Sequence, residues 1–152
     1  MFLRNSWYMA NYTDMAAAYV GTGEVLGAAG GDGRVSAATH ADYADAAAAV
    51  LSTSGHENTV YELGGDTAFT VGEYAQALSE SSNRDVVYRD LSKGDYVAAL
   101  GGFGFPADLA EVFADGDLGV ARGDLLIDSG GPGPTHRPPP HRENARRGGG
   151  RS

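Results

Sequence analysis

The chain has 152 residues, 42% of them hydrophobic, and a formal charge of −9. That length suits one domain, and the acidity argues against a nucleic-acid partner, which would require a basic surface. The absence of cysteine excludes disulfides and thiolate chemistry, no run approaches the ~20 apolar residues of a membrane span, and the N-terminus lacks the basic-then-apolar order of a signal peptide.

In chain order, Phe2-Leu3 reads as the end of a buried strand running into a loop at Arg4 to Tyr8. Alanine-rich Met9 to Val20 is predicted helical. Val25 to Ala29 and Val35 to Ala38 flank Gly30-Gly31-Asp32-Gly33 and are expected as two extended segments joined as a hairpin. Thr39 followed by Asp42 is a capping-box spacing that opens a helix through Leu51, ending before Gly55. Thr59 to Leu63 alternates as a strand and stops at Gly64-Gly65. Thr70 and Glu73 form a second capping box, leading a helix with Tyr74, Ala77 and Leu78 on one face. Asp85 to Arg89 is a further strand, Ser92 starts a helix carrying Tyr96, Ala99 and Leu100, and Pro106 leads one with Leu109, Val112 and Phe113. Strands alternating with helices through short loops define an α/β fold.

The composition breaks near Ser129. Residues 130–152 hold five of the six prolines and five arginines against one acid, Glu143. With no aliphatic side chain larger than alanine, this tail cannot offset its ordering entropy and is expected to be disordered. The domain is therefore drawn at residues 1–129, followed by a Pro/Gly/Arg-rich tail.

Chemical motifs are few. Gly21-Thr22-Gly23-Glu24-Val25-Leu26-Gly27 resembles a dinucleotide fingerprint. A fingerprint, however, needs a strand before the turn and a helix after it; here a helix is predicted before it and glycines follow. His40 with Asp42, and His56 with Glu57, lack a third ligand, so no metal site is assigned. Asp115 and Asp117 read as a solvated, glycine-interrupted acidic loop. No catalytic residue is assigned. Asn5, Trp7, Tyr8, Asn11 and Tyr12 are the densest group of amides and rings in the chain. Such a group suits a flat conjugated ligand, with rings stacking and amides fixing a polar edge, although core packing would also account for it.

The string Leu3-Arg4-Asn5-Ser6-Trp7-Tyr8-Met9-Ala10-Asn11-Tyr12 resembles the L-R-N-G-W-Y-x-E-N-Y segment of NAD(P)H:quinone oxidoreductase-like members of the NmrA-like, atypical short-chain dehydrogenase/reductase family. The likeness continues in register through Gly27 to Gly30, Asp32 to Val35, Ala41 to Ala44, Gly55 to Glu57, Val60 to Asp66, Tyr88 to Leu91 and Ala98 to Leu100. It covers about residues 2–129. The resemblance implies the C-terminal, substrate-side portion of a Rossmann protein about twice this size. The N-terminal nucleotide-binding half would be missing, so that Met1 marks an internal start or a truncation.

In the full-length family, NADPH or NADH passes a hydride to a quinone-like acceptor. The resemblance carries Asn5, Trp7 and Tyr8, and more weakly Asn11 and Tyr12, over as substrate and nicotinamide pocket residues; it gives Asp42 a helix-start role. It also implies a cytoplasmic location, and for this chain alone no bound cofactor, no activity, and self-association through uncovered surface. The alternative within the family is a non-enzymatic, dinucleotide-sensing regulator, and a third reading is a gene remnant. Two departures stand near the pocket: the family glycine is Ser6, expected to constrain the backbone or crowd the pocket, and the family glutamate is Ala10. After Ser129 the family pattern L-I-G-R-P is absent. Codons for residues 130–141 read one base later can spell it, which points to a reading-frame shift.

Overall fold

The structure, a computed structural model, describes residues 1–127. The tail at 130–152, with its expected disorder and frame shift, lies outside the described residues.

The strands are β1 (Phe2–Asn5), β2 (Trp7–Tyr8), β3 (Glu24–Gly27), β4 (Arg34–Val35), β5 (Ala37–Ala38), β6 (Val60–Leu63), β7 (Phe69–Thr70) and β8 (Val87–Asp90). The helices are α1 (Ala10–Thr13), α2 (Ala16–Thr22), α3 (His40–Ser52), α4 (Val71–Ser82), α5 (Lys93–Gly102) and α6 (Ala107–Arg122). Among the described residues the strands form two-stranded ladders: β1 with β6, β2 with β5 and β3 with β8 in parallel, and β4 with β7 antiparallel. The parallel pairs join segments far apart in sequence through intervening helices, as an α/β fold requires.

Both capping boxes form. The Thr39 hydroxyl accepts from the Asp42 amide while the Asp42 carboxylate accepts from Thr39 N–H, and Thr70 and Glu73 do the same for α4. Each reciprocal pair satisfies two of the N–H groups that a helix start leaves without partners.

Several expectations are corrected. The hairpin between Val25–Ala29 and Val35–Ala38 does not form, because β3 takes β8 as its partner while β4 and β5 pair with β7 and β2. Val25 and Val35 are thereby both buried in one core cluster. The predicted helix over Met9 to Val20 breaks at Asp14-Met15 into α1 and α2, so that Tyr12 and Tyr19 both reach that cluster. On α4 the inward face is Val71, Ala75, Tyr74 and Leu78, and Ala77 is exposed. Phe2 is 71% exposed rather than buried, since β1 has only β6 beside it among the described residues.

The Asp115–Asp117 segment is helical, not a loop. The stripe Ala110, Ala114, Asp117 and Val120 packs inward from α6, and that packing outweighs the ~1 kcal/mol that each of Gly116 and Gly119 costs a helix. Asp115 pairs with Lys93 at 2.8 Å on the surface, whereas Asp117 is buried.

Candidate functional site

The five residues grouped by sequence separate into two neighbouring sets. Alternation along β2 explains the split, since successive strand residues face opposite sides.

Tyr8 faces the first set. Its ring stacks on His40 with centroids 4.5 Å apart and planes 16° from parallel, and meets Tyr43 edge-on at 5.2 Å. Asn5 Nδ2 donates to the Tyr8 hydroxyl at 3.0 Å. The Tyr43 hydroxyl donates to the Trp7 carbonyl at 2.9 Å, tying β2 to α3. His40, solvent-exposed at the start of α3, is thus also part of the aromatic group around Tyr8.

Trp7 faces the second set. Its indole meets Phe113 edge-on at 6.4 Å and lies over Gly116, where a Cβ would come within 2.7 Å of the ring. Trp7, Asn11, Tyr12 and Asp117 share a cavity of about 20 Å³ with Tyr19, Tyr96, Phe113 and aliphatic neighbours. That volume holds one water-sized occupant. Tyr12 packs against Phe69 and Tyr74, and its carbonyl accepts from the Tyr74 hydroxyl at 2.8 Å. The Tyr12 hydroxyl itself is buried without a hydrogen-bond partner.

Asp117 is the residue that sequence reasoning missed. It is 8% exposed, and its Oδ2 accepts from the Ala28 amide at 2.8 Å. Burial pushes its carboxyl up to about 6, against the opposing pull of the Ala28 N–H, with Asp90 raising it further. Burial also raises the Tyr12 and Tyr96 phenols, and takes Tyr19 to about 12. The signal was present in sequence: Ala110, Ala114, Asp117 and Val120 fall at helical spacing, which puts a lone acid on an apolar face.

Ser6 neither strains the backbone nor lines the cavity. Its φ is not positive, and its buried hydroxyl donates to the Leu125 carbonyl at 2.6 Å. Gly21 to Gly27 lies on a helix-to-strand turn, with α2 ending at Thr22, Gly23 capping it, and β3 following. A phosphate cradle needs the reverse order, with helix N–H groups facing the anion. This turn therefore does not fit the phosphate-binding part of a dinucleotide. Among the described residues no cluster of three or more His, Asp or Glu could hold a metal, and no helix is long and apolar enough to cross a membrane.

No protein-family model matches the chain. Quinone oxidoreductase 2 of Escherichia coli is 48% identical over 127 residues, which is 84% of this chain and 44% of that protein. The NADPH-dependent quinone oxidoreductase of Escherichia coli, crystallised with NADPH, superposes with a TM-score of 0.79 at 48% identity over 83% of this chain and 44% of the other. The NAD(P)H azoreductase of Xenophilus azovorans is 33% identical over 72% of this chain and 38% of its own length. The Citrobacter sp. triphenylmethane reductase in complex with NADP(H) has a TM-score of 0.77 at 31% identity, covering 83% and 44%.

The fold is thus that of the Rossmann-like, NAD(P)-binding reductases. Within that class the chain belongs to the NAD(P)H:quinone oxidoreductase-like group of NmrA-like, atypical short-chain dehydrogenases. It spans less than half the length of the curated relatives it matches.

Proposed function

We propose that the chain is the substrate-side portion of an NAD(P)H-dependent oxidoreductase that reduces quinone-like acceptors by hydride transfer, and that it is inactive alone. The observation that carries this reading is 48% identity to a quinone oxidoreductase sustained over 127 residues. The Tyr8 face of β2 supports it. Tyr8 is half-buried and held edge-on by Tyr43, and a fixed ring face stacks a conjugated acceptor at low entropic cost. Asn5, bonded to the Tyr8 hydroxyl, supplies an amide for the acceptor's polar edge. On the opposite face Trp7, Asn11 and Tyr12 border a cavity of about 20 Å³, too small for a quinone, so the acceptor would lie against the Tyr8 face, with the nucleotide-binding half as its other wall. Inactivity of the chain alone is supported by the Gly21 to Gly27 turn, which runs from helix to strand, the reverse of a phosphate-binding turn. A cytoplasmic location accompanies this reading.

The test is complementation. The chain, the nucleotide-binding half of the Escherichia coli relative, and their mixture are each assayed for quinone-dependent NADPH oxidation. Activity is expected only in the mixture, and Tyr8→Ala should lower it. Turnover by the chain alone would overturn the claim of inactivity. A mixture that associates yet never reduces a quinone would overturn the assignment of the acceptor.

A further inference from the structure

Asp117 presents an unusual electrostatic situation. The residue is 8% exposed, and among the described residues the one hydrogen-bond donor to its carboxylate is the Ala28 amide. None of the described ion pairs involves it. The charges acting on it do not help: Asp90 is a second acid nearby, and among the described residues no cation contributes. A buried carboxylate without a counter-charge is costly, and proteins normally pair such groups.

The adjoining cavity contains a second unsatisfied group. The Tyr12 hydroxyl is enclosed, 7% exposed as a residue, and partnerless. Asn11 adds an amide, and Trp7, Tyr19, Tyr96 and Phe113 add ring surface around the same space. An anion is excluded by the carboxylate. A water could satisfy the phenol but would leave the charge unbalanced. A divalent metal needs more oxygen ligands than Asp117, Tyr12 and Asn11 provide. An ammonium group answers every feature: it carries a positive charge, donates to several acceptors at once, sits favourably on aromatic faces, and has the size of a water.

We propose that this cavity is a binding site for a compact ammonium, either the free ion or the tip of a primary alkylammonium. Asp117 provides the counter-charge, Tyr12 Oη and the Asn11 amide oxygen accept its N–H groups, and the rings around Trp7 enclose it. The site does not depend on the quinone reading, because it requires neither nucleotide nor acceptor.

The full chain is titrated with ammonium, methylammonium and butylammonium chlorides against sodium, potassium and tetramethylammonium chlorides at equal ionic strength. The readouts are emission of Trp7, the sole tryptophan, and the thermal midpoint. The expected result is a saturable emission change and a rise of about 4 °C at saturation with ammonium and the primary alkylammonium ions, and none with sodium, potassium or tetramethylammonium. Asp117→Asn, which keeps an acceptor for Ala28 N–H, should abolish the response. Tyr12→Phe, which retains the ring packing, should weaken binding about fivefold, the loss of one hydrogen bond, and it carries the test if the Asp117 variant does not fold. A wild-type chain that does not distinguish ammonium from sodium overturns the proposal, as does an equal response to potassium or variants that titrate like wild type.

Discussion

The indole of Trp7 rests on the backbone of α6 where residue 116 has no side chain: a Cβ there would lie 2.7 Å from Cη2 and 3.2 Å from Cζ2. Gly116 interrupts a helix that would otherwise be better formed without it, and the close approach of the ring is the compensating gain. Gly116→Ala is therefore expected to destabilise the chain by about 1–3 kcal/mol through overpacking, partly offset by the ~1 kcal/mol gain in helix propensity. Urea unfolding and Trp7 emission measure it. A variant more stable than wild type, with unchanged emission, would show that the indole does not sit on α6.

Asp117 should leave a mark on stability against pH. Its folded carboxyl is raised to about 6 from a reference of 3.8, so the folded state holds the proton more tightly than the unfolded one. This group's favourable contribution is full below pH 4 and is lost as pH rises through about 6. A carboxyl held that far above its ordinary value is worth about 2–3 kcal/mol across this window. Besides burial, the groups that act on it are the Ala28 N–H, which lowers it, and Asp90, which raises it. The phenols of Tyr12, Tyr19, Tyr88 and Tyr96 are raised by burial and so stay protonated in this window. The difference in unfolding free energy between wild type and Asp117→Asn should move in favour of the variant between pH 4 and 6.5. Parallel profiles for the two proteins would contradict the buried, uncompensated carboxylate.

The capping boxes can be tested separately. Thr39→Ala and Thr70→Ala each remove the side-chain acceptor of a helix-start N–H and should each cost about 1 kcal/mol. The two helices begin far apart in sequence and share neither cap, so the double variant should lose the sum. A marked departure from additivity would point to a contact between the helix starts.

Phe2 and Val60 are register partners across β1 and β6, and both side chains are exposed, at 71% and 38%. Leu51 is also open, at 76%. With β6 as its one neighbour among the described residues, β1 presents a free strand edge, and such an edge recruits another strand. Sedimentation of the chain should show self-association that Phe2→Lys reduces. A wild-type monomer that melts sharply above about 60 °C, the upper end of the usual mesophile range, would mean that this edge needs no cover.

Much of the local structure was legible in the sequence. Thr39 with Asp42 and Thr70 with Glu73 announced two helix starts, because a cap is settled by residues three apart. Thr59 to Leu63 and Asp85 to Arg89 read correctly as strands from their own composition, and the family was legible because its motifs are short strings in order. What required the tertiary structure was partnership across long separations. Neither periodicity nor propensity states that β3 pairs with β8 rather than folding back on β4, since a strand's hydrogen bonds are satisfied equally well by any partner of the right register. The candidate site divided for a related reason: Asn5, Trp7, Tyr8, Asn11 and Tyr12 are close in sequence, but a strand sends Trp7 and Tyr8 to opposite faces, where His40 and Asp117 complete two different environments. Asp117 could be placed on an apolar helix face from spacing alone. Its burial against Ala28, 89 residues away, with no counter-charge among the described residues, was decided only when α6 packed onto β3 and closed the carboxylate away from water.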